Sequence, residues 1–300
     1  MEVIIAGAGS IGLLMGSYLS EVGIEVTFYV RREEQAEHIR VNGIQRINQD
    51  NTKEVLHVNA TTDIRNLSTT ALWIVAVKYA GLRELLSEMQ EAHVYNPVLF
   101  VQNGIGHLEL VNNLELPHVA FATVEHGASR LDDRTVSHNG VGMITIATAR
   151  GSNSVFEIIG QAHSDLFPVS HHSDAEQILL RKVLINCMIN PLTAILGVKN
   201  GELLTNDHCL TLFNSLYAEL LSAFPEMQSI LPFEAVKGIC RKTAQNRSSM
   251  LVDRLANQPM EIETIVTAVI RKADGCNKSL PLLTAFEQML FAIEWQGAKL

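Results

Sequence analysis

The fold of the first half of this chain is predicted from the stretch Glu2-Val3-Ile4-Ile5-Ala6-Gly7-Ala8-Gly9-Ser10-Ile11-Gly12. Its first five residues predict a short buried strand, and the six that follow have the pattern GxGxxG. A helical pattern then covers Leu13 to Glu21, and a second strand is predicted from Glu25 to Val30. A glycine loop between a strand and a helix of one βαβ unit is typical of a Rossmann-type dinucleotide-binding fold. The six loop residues are therefore predicted to bind the cofactor.

Each glycine of this loop has its own physical reason to be a glycine. Gly7 allows the tight turn after the strand, and Gly9 lets a pyrophosphate approach the backbone. Gly12 lets the helix and the strand pack closely. The N–H groups at the helix N-terminus can then bind the phosphates. A glycine turn with a structural role only is the alternative.

The end of the second predicted strand indicates which dinucleotide binds. An acidic residue at this position usually holds the ribose 2′-OH of NAD. Here the sequence reads Phe28-Tyr29-Val30-Arg31-Arg32, and the first carboxylate comes at Glu33. Because guanidinium groups suit a phosphate dianion, the sequence favours NADP(H), with Arg31 as the 2′-phosphate ligand since it lies nearer the strand end. The alternative is a solvated pair of surface arginines.

Two further apolar segments predict the middle of a parallel sheet. They run from Ala71 to Val77 and from Pro97 to Gln102, and they are followed by Lys78 and Asn103. Strands covered on both faces have such continuous apolar sequences. Because ligands bind beyond the carboxyl ends of parallel strands, Lys78 and Asn103 are candidate cofactor contacts. A solvated lysine and a simple Asn-Gly turn are the alternatives.

The rest of this half is predicted more coarsely. Residues 41–62 indicate irregular or hairpin structure because Gly43, Asn48 and Asn51 interrupt them. Further patterns predict strands from Val119 to Thr123 and from Val141 to Ala149, and a helix from Ser154 to His163. The segment from Ser164 to Ser173, with Pro168 and the pair His171-His172, marks the domain boundary. The predicted domains are 1–172 and 173–300.

Composition limits the class of protein. The chain has 300 residues and 47% hydrophobic content, which suffices for two domains with cores. A net charge of −9 without a Lys/Arg block argues against nucleic acid or an anionic membrane surface as a partner. The 4 cysteines lack metal or redox spacing, which fits free thiols in a reducing cytoplasm. The histidines lack an HExxH or comparable ligand spacing, so we predict no metal site. The sequence shows no signal peptide and no run of about 20 uninterrupted apolar residues that would span a membrane.

The second half is predicted to be almost entirely helical, and its most informative stretch runs from Leu179 to Leu192. At helical period this stretch is apolar on nearly every side, which indicates a buried helix. Lys182, Asn186 and Asn190 interrupt it at intervals of four residues, so they form one column along the helix. Buried polar groups are costly without partners. The column is therefore either a hydrogen-bonded core network or a row of donors that faces a polar ligand.

Three other polar segments stand out in the second half. They are Asn200-Gly201-Glu202, Asn246-Arg247-Ser248-Ser249 and Met260-Glu261-Ile262-Glu263. Taken alone, each segment could be a cap or a turn, because either serine could cap the next helix and Glu261 suits a first helical turn. The residues themselves leave structural and ligand-binding roles open.

In these motifs the chain resembles the ketopantoate reductase (2-dehydropantoate 2-reductase) family, and the resemblance extends over essentially its full length. The glycine loop is generic. The Lys/Asn/Asn column that runs into Pro191-Leu192-Thr193-Ala194 is specific, as is the spacing from Asn246-Arg247-Ser248-Ser249-Met250-Leu251 to Glu261. The other matching segments are Arg31, Val77-Lys78, Gln102-Asn103-Gly104-Ile105-Gly106, Asn200-Gly201-Glu202-Leu203 and Glu261-Ile262.

This resemblance implies an NADPH-dependent reduction of the 2-keto acid 2-dehydropantoate to (R)-pantoate, a step toward pantothenate and coenzyme A. It implies that Lys182 is the general acid and that Glu261 contacts both the cofactor and the substrate region. The other implied cofactor contacts are Arg31, Lys78, Asn103 and Ala128. The implied substrate-binding residues are Lys182, Asn186, Asn190, Asn200, Asn246, Arg247, Ser248 and Ser249. The sequence does not determine the oligomeric state, and a homodimer is left open.

The chain departs from the family pattern around Glu261. Glu263 stands where the family commonly has Asp, and Thr267-Ala268 stand in the region of a frequent Asn-Gly pair. Asn257-Gln258 lie where the family has Gly-Arg. These differences bear on the packing of the helix after Glu261, and on how tightly substrate binds, rather than on the ionisable residues.

Two other functions are open at this stage. One is another NADP-dependent 2- or 3-hydroxy acid dehydrogenase. The 3-hydroxy acid dehydrogenases also have a lysine and an asparagine four residues apart on a helix, but they normally have glycines before that lysine, and the segment from Ala175 to Arg181 has none. A non-enzymatic NADP-sensing protein could share the fold, but it would have no use for Lys182 together with Glu261.

Overall fold

A computed structural model of the chain describes residues 2–297. The strands are β1 Glu2–Ala6, β2 Glu25–Tyr29, β3 Ile44–Ile47, β4 Lys53–Leu56, β5 Asn59–Thr61, β6 Leu72–Val75, β7 Val98–Phe100, β8 Val119–Val124, β9 Gly127–Arg130, β10 Thr135–Gly140, β11 Ile144–Arg150 and β12 Val169–His172. The α-helices are α1 Ser10–Glu21, α2 Glu33–Asn42, α3 Tyr79–Glu91, α4 Leu108–Asn112, α5 Ala175–Leu196, α6 Glu202–Thr205, α7 Asp207–Ala223, α8 Phe233–Lys242, α9 Ser249–Leu255, α10 Ala268–Gly275 and α11 Pro281–Gly297. Turns of 3-10 helix cover Ile64–Asn66, Asn153–Ala162 and Pro225–Met227, and a π-helical turn covers Glu263–Thr267.

The described residues form two compact units. The first comprises residues 2–102 and 110–178, and the second comprises residues 103–109 and 179–297. This division differs from the sequence-based one in two places. Residues 173–178 stay with the first unit because α5 begins directly after β12, the last strand of its sheet. The segment 103–109 belongs to the second unit because its backbone bonds to the π-helical turn there.

The first unit is built on an eight-stranded sheet in the order β12-β11-β8-β7-β6-β1-β2-β5. β1 pairs in parallel with both β2 and β6, so the strand order reverses beside β1. In doubly wound sheets ligands bind at the carboxyl ends of the strands at such a switch point. β6 and β7 are buried throughout, as their continuous apolar sequences predicted. The Rossmann-type α/β fold is therefore confirmed for this half.

The segment 41–62 forms the antiparallel hairpin of β3 and β4 and then β5, which joins the edge of the large sheet. β3 also pairs with β10, which gives a second sheet in the order β4-β3-β10-β9. The predicted helix from Ser154 to His163 is a 3-10 helix, since β-branched residues and Gly160 disfavour the α-helix.

The predicted boundary segment contains an element of its own. β12 includes His171 and His172 and is the last strand of the large sheet, beside β11. Pro168 lies directly before this strand, and a proline just before an edge strand leaves the strand's pairing intact.

The second unit is helical, as predicted. Pro225, Pro232 and Pro281 lie at helix starts, where a missing backbone N–H costs little. Pro191 differs because it lies inside α5 and does not end the helix. By length and composition α5 could cross a membrane, but 78% of its apolar 18-residue stretch is buried inside the protein. It is therefore the buried core helix that the sequence indicated.

Candidate active site

The glycine loop joins β1 to α1 with a backbone that requires glycines. Gly7 has a φ of 106°, and its N–H donates to the carbonyl of Tyr29 at 2.9 Å. A Cβ on Gly12 would lie 2.0 Å from the carbonyl oxygen of Gly7, so α1 starts directly against the loop. Among the described residues, a Cβ on Gly9 would meet no atom closer than the carbonyl oxygen of Ala76 at 4.0 Å, so that side of the loop is open.

The N-terminus of α1 is suited to bind an anion. Gly9 is the N-cap, and within the described part of the chain no side chain caps the helix there. The first turn of α1 also carries no acidic residue. Its N–H groups therefore keep their donors and partial positive charge for a ligand. Together with the open side of Gly9, this arrangement fits the diphosphate of a dinucleotide.

The two arginines after β2 have different contacts. The Arg31 side chain is 78% exposed, and its Nη1 lies 3.7 Å from Glu84 Oε2, which is too far for a hydrogen bond. Arg32 forms an ion pair with Asp133. Arg31 is therefore the residue whose guanidinium is better placed to bind a 2′-phosphate.

Glu33 is the first carboxylate after β2, and both of its oxygens are engaged. It accepts from Arg40 Nη2 at 2.6 Å and from Thr62 Oγ1 at 2.7 Å. These bonds, that of Arg40 above all, lower the pKa of Glu33 and keep it ionised. A carboxylate already bonded in this way is a poor ligand for a ribose 2′-OH, which favours NADP(H).

The other predicted cofactor residues lie in different parts of the structure. Lys78 is exposed at the N-cap of α3, shortly after β6, where a strand-end contact was expected. Asn103 is exposed after β7, but it belongs to the second unit. Ala128 lies in β9 of the small sheet, opposite His138, and packs against the core of the first unit. Lys78 therefore lies near the carboxyl end of a strand of the large sheet and Ala128 lies in the small sheet, and the cofactor contacts of both stay predictions.

The polar column lies on one face of α5, which is continuous from Ala175 to Leu196. Lys182 and Asn186 are half-buried, whereas Asn190 is only 5% exposed. Asn190 Nδ2 donates to Ser249 Oγ at 3.4 Å, so the column reaches the start of α9. One end of the column thus belongs to a hydrogen-bonded network, and the other end keeps part of its surface exposed.

The two serines at the start of α9 differ. Ser248 is buried, and its Oγ accepts from the N–H of Leu251 at 3.1 Å and lies 2.7 Å from Thr193 Oγ1. This is the capping role that the sequence left open, and it occupies the Ser248 hydroxyl. Ser249 is exposed and contacts Asn190. Of the two, Ser249 is therefore the better candidate for binding substrate.

Asn200 joins two loops. Its Nδ2 donates to Thr243 Oγ1 at 3.0 Å, and its backbone N–H donates to the carbonyl of Asn246 at 3.1 Å. Its Oδ1 is buried and has no hydrogen-bond partner among residues 2–297. Asn246 and Arg247 are exposed. Asn200 therefore supports the loop that carries these two residues, and it retains one acceptor.

Glu261 lies directly before the helix that starts at Ile262 and is half-buried. Asn103 Nδ2 donates to Glu261 Oε2 at 3.3 Å, which brings together two predicted residues 158 positions apart. Sequence reasoning missed both this pairing and the π-helical turn that follows Glu261. The departures from the family pattern were the available signal, since Glu263 and Thr267 are the first and last residues of that turn.

A pocket of about 790 Å³ lies elsewhere in the second unit. Residues of α6, α7 and α8 line it, including Lys237 and Arg241, but neither Lys182 nor Glu261 does. No group of three His, Cys, Asp or Glu side chains in the described part of the chain could hold a metal ion. The candidate site in this unit consists of two groups of contacting residues. One is the column of Lys182, Asn186 and Asn190 with Ser249, and the other is Glu261 with Asn103.

The first unit is a doubly wound α/β unit in which the N-terminus of α1 is suited to bind an anion, and the helical unit that follows has a lysine in a polar column. This combination is typical of two-domain, nicotinamide-dependent oxidoreductases. The model of the family "Ketopantoate reductase PanE/ApbA" matches residues 3–151, and the model of its C-terminal part matches residues 174–294. The chain belongs to the ketopantoate reductase family.

Curated relatives match along nearly the whole chain. A 2-dehydropantoate 2-reductase from Listeria innocua is 34% identical over 302 residues, which cover 98% of this chain and 97% of the relative. A 2-dehydropantoate 2-reductase from Bacillus subtilis is 34% identical over 279 residues, or 91% of either chain.

Solved structures share the fold. A crystal structure described as a probable 2-dehydropantoate 2-reductase from Bacillus subtilis has a TM-score of 0.88 at 30% identity and covers 98% of this chain and 100% of its own. A ternary structure of D-mandelate dehydrogenase with NADH and anilino(oxo)acetate has a TM-score of 0.86 at 19% identity and covers 99% of both chains. At that identity the second likeness shows the fold alone.

Proposed function

We propose that this protein reduces 2-dehydropantoate to (R)-pantoate with NADPH and that Lys182 is the general acid. The family and the 34% identity to curated 2-dehydropantoate 2-reductases support the reaction. One observation carries the assignment of residues: α5 presents Lys182, Asn186 and Asn190 on one face, and Asn190 contacts Ser249.

The first unit binds and orients the cofactor. The nicotinamide, when bound, supplies the hydride that reduces the ketone carbon. The N-terminus of α1 holds the diphosphate, because the N–H groups of its first turn have no side-chain cap in the described part of the chain. Arg31 binds the 2′-phosphate, and Lys78 contacts the cofactor at the edge of the large sheet.

Lys182 stabilises and then protonates the ketone oxygen. Hydride addition builds negative charge on that oxygen, and an ammonium within hydrogen-bond reach lowers the free energy of this charge. The same group then delivers the proton. Half-burial in an otherwise apolar helix strengthens the attraction, since the surroundings have a lower dielectric constant than water.

Neutral donors orient the keto acid. Asn186, Asn190 and Ser249 can donate to the substrate carboxylate without adding another charge beside Lys182. Asn200, Asn246, Arg247 and Ser248 are assigned to the same binding region, Ser248 through its cap of α9. Glu261 orients the ammonium of Lys182, and Asn103 holds the Glu261 carboxylate at 3.3 Å.

The test is an NADPH oxidation assay with 2-dehydropantoate beside pyruvate, 2-oxoisovalerate and acetolactate. We expect 2-dehydropantoate to have the highest kcat/KM of the four. Turnover of another acid at a higher kcat/KM would reassign the protein to a different hydroxy acid dehydrogenase. No turnover with any of them would favour the NADP-sensing alternative.

The cellular location, the partners and the oligomeric state of the protein belong to the same proposal. We propose a cytoplasmic location without nucleic-acid or membrane partners, in keeping with the net charge of −9. A homodimer is the oligomeric state to test first. Light scattering at several concentrations would distinguish it from a monomer.

A further inference from the structure

The helix after Glu261 begins with the π-helical turn Glu263–Thr267, in which the N–H of Ala268 donates to the carbonyl of Glu263. Such turns are rare and often lie at functional sites. The N–H of Ile265, inside the turn, donates to the carbonyl of Glu261 at 3.2 Å. The contacts that hold this turn in place therefore also set the position of Glu261.

The segment after β7 holds the π-helical turn through its backbone. The N–H of Ile105 donates to the carbonyl of Thr264 at 3.0 Å. A Cβ on Gly104 would lie 2.0 Å from that carbonyl oxygen, and a Cβ on Gly106 would lie 3.1 Å from the Thr264 Cα. Because these atoms are backbone atoms, a side chain at Gly104 would displace the turn, whereas a side chain at Gly106 requires a shift of only a few tenths of an ångström.

Cys187 contacts the same turn from α5. It is completely buried, and its thiol donates to the carbonyl of Ile265 at 3.4 Å. Burial raises the pKa of the thiol, so it remains a protonated donor. Bonds of this kind are weak, so the backbone contacts of Gly104 and Ile105 dominate. The turn is thus held between the segment after β7 and the helix that carries Lys182.

We propose that Gly104, and to a smaller extent Gly106, are positioning residues that place Glu261 through the π-helical turn. Asn103, the neighbour of Gly104, then holds the Glu261 carboxylate. This inference rests on the proposed function, in which Glu261 acts beside Lys182.

Three glycine-to-alanine variants separate the effect of backbone strain from the effect of a collision with the π-helical turn. Gly104 has a φ of 77°, so Gly104→Ala adds both backbone strain and a collision. Gly197 has a φ of 72°, and no atom of residues 2–297 lies within 4 Å of the added Cβ, so Gly197→Ala adds strain alone. Gly106 is not among the positive-φ glycines, so Gly106→Ala adds the close contact alone.

Activity is measured at a temperature at which circular dichroism shows every variant folded. Gly104→Ala should lower kcat for 2-dehydropantoate about 10–100-fold, because misplacement of a group by about 1 Å can cost about 100-fold. Gly106→Ala should lower it about threefold, since a shift of a few tenths of an ångström relieves its contact. Gly197→Ala should keep the wild-type kcat, although its unfolding temperature falls.

A double variant tests whether the effect passes through Glu261. In a Glu261→Gln background, Gly104→Ala should cause little further loss of kcat, because coupled residues are not additive. If the fold-loss of kcat in the double variant equalled the product of the fold-losses in the two single variants, the proposal would be overturned. So would a wild-type kcat in Gly104→Ala, or a loss confined to NADPH affinity, which would assign the effect to Asn103.

A crystallographic comparison separates this inference from the proposed function. Glu261 should be displaced relative to α5 in Gly104→Ala but not in Gly197→Ala. An undisplaced Glu261 would overturn the positioning role even if the wild-type enzyme is active. Absence of wild-type turnover would instead reject the proposed function.

Discussion

Replacing Arg31 with alanine tests the choice of NADPH over NADH. The side chain is 78% exposed, and Glu84 at 3.7 Å is its ion-pair partner. An exposed pair of this kind contributes about 0–1 kcal/mol, so its loss should leave stability almost unchanged. The variant therefore removes a ligand for the 2′-phosphate without disturbing the first unit.

The expected effect on affinity follows from the exposure of the guanidinium. Hydrogen bonds to charged groups contribute about 1.5–3 kcal/mol, or roughly 10–150-fold in affinity. Solvent and salt screen an exposed charge, so we expect the lower part of this range, about 10–30-fold, for NADPH. NADH lacks the 2′-phosphate, and its affinity should be nearly unchanged. Glu84→Gln should strengthen NADPH binding slightly, because it removes a carboxylate that attracts Arg31.

Calorimetric titration of wild type and Arg31→Ala with both cofactors measures these changes. Arg32→Ala is the matched control, because Arg32 is already bonded to Asp133. It should weaken NADPH binding much less than Arg31→Ala does. Equal losses for NADPH and NADH in Arg31→Ala would refute the 2′-phosphate assignment. A larger loss in Arg32→Ala would transfer that role to Arg32.

Three further variants test other parts of the account. Ser249→Ala should raise KM for the keto acid and leave NADPH affinity unchanged; altered NADPH affinity with an unaltered KM would count against its role. Ser248→Ala should instead lower the free energy of unfolding by about 1 kcal/mol in a urea titration, because it removes the cap of α9; an unchanged stability would contradict the capping role. Burial lowers the pKa of His126 from 6.5 to about 4, so between these pH values the unfolded chain binds a proton that the folded chain does not. The stability that results from keeping His126 neutral should be complete above pH 6.5 and decrease toward pH 4. His126→Phe should therefore weaken the pH dependence of the free energy of unfolding in urea titrations.

Much of the fold could be predicted because its signals are local. The strand, glycine loop and helix from Glu2 to Glu21 follow from residue types within one short stretch. The column on α5 could also be predicted, because a helix of known period fixes which residues share a face. The choice of Arg31 over Arg32 rested on distance from the strand end, and the ion pair of Arg32 with Asp133 adds a reason that lies about a hundred residues away.

The features that were missed depend on contacts between distant segments. Asn103 follows a strand of the first unit, yet the backbone bond of Ile105 to Thr264 assigns its segment to the second. The π-helical turn depends on donors outside its own helix, which no helical period reveals. The sequence left Ser248 as a cap or a ligand; the bond from the Leu251 N–H makes it the cap of α9, and the contact with the distant Thr193 engages the same hydroxyl. Ala128 was assigned to the cofactor by resemblance alone, and that role stays a prediction; its place in the small sheet depends on the pairing of β9 with β10.

Lys182→Ala tests whether Lys182 is the general acid. We expect kcat for 2-dehydropantoate to fall by about 10²–10⁴-fold, the usual contribution of positioned acid–base catalysis. NADPH should still bind, because the glycine loop and Arg31 are unchanged, and Lys182→Gln should not restore activity, since an amide cannot readily deliver a proton. Lys242→Ala, which removes an exposed lysine from the same unit, should keep the wild-type rate. A folded Lys182→Ala protein that binds NADPH and reduces 2-dehydropantoate at nearly the wild-type rate would contradict the general-acid role and leave the column on α5 with a structural role only.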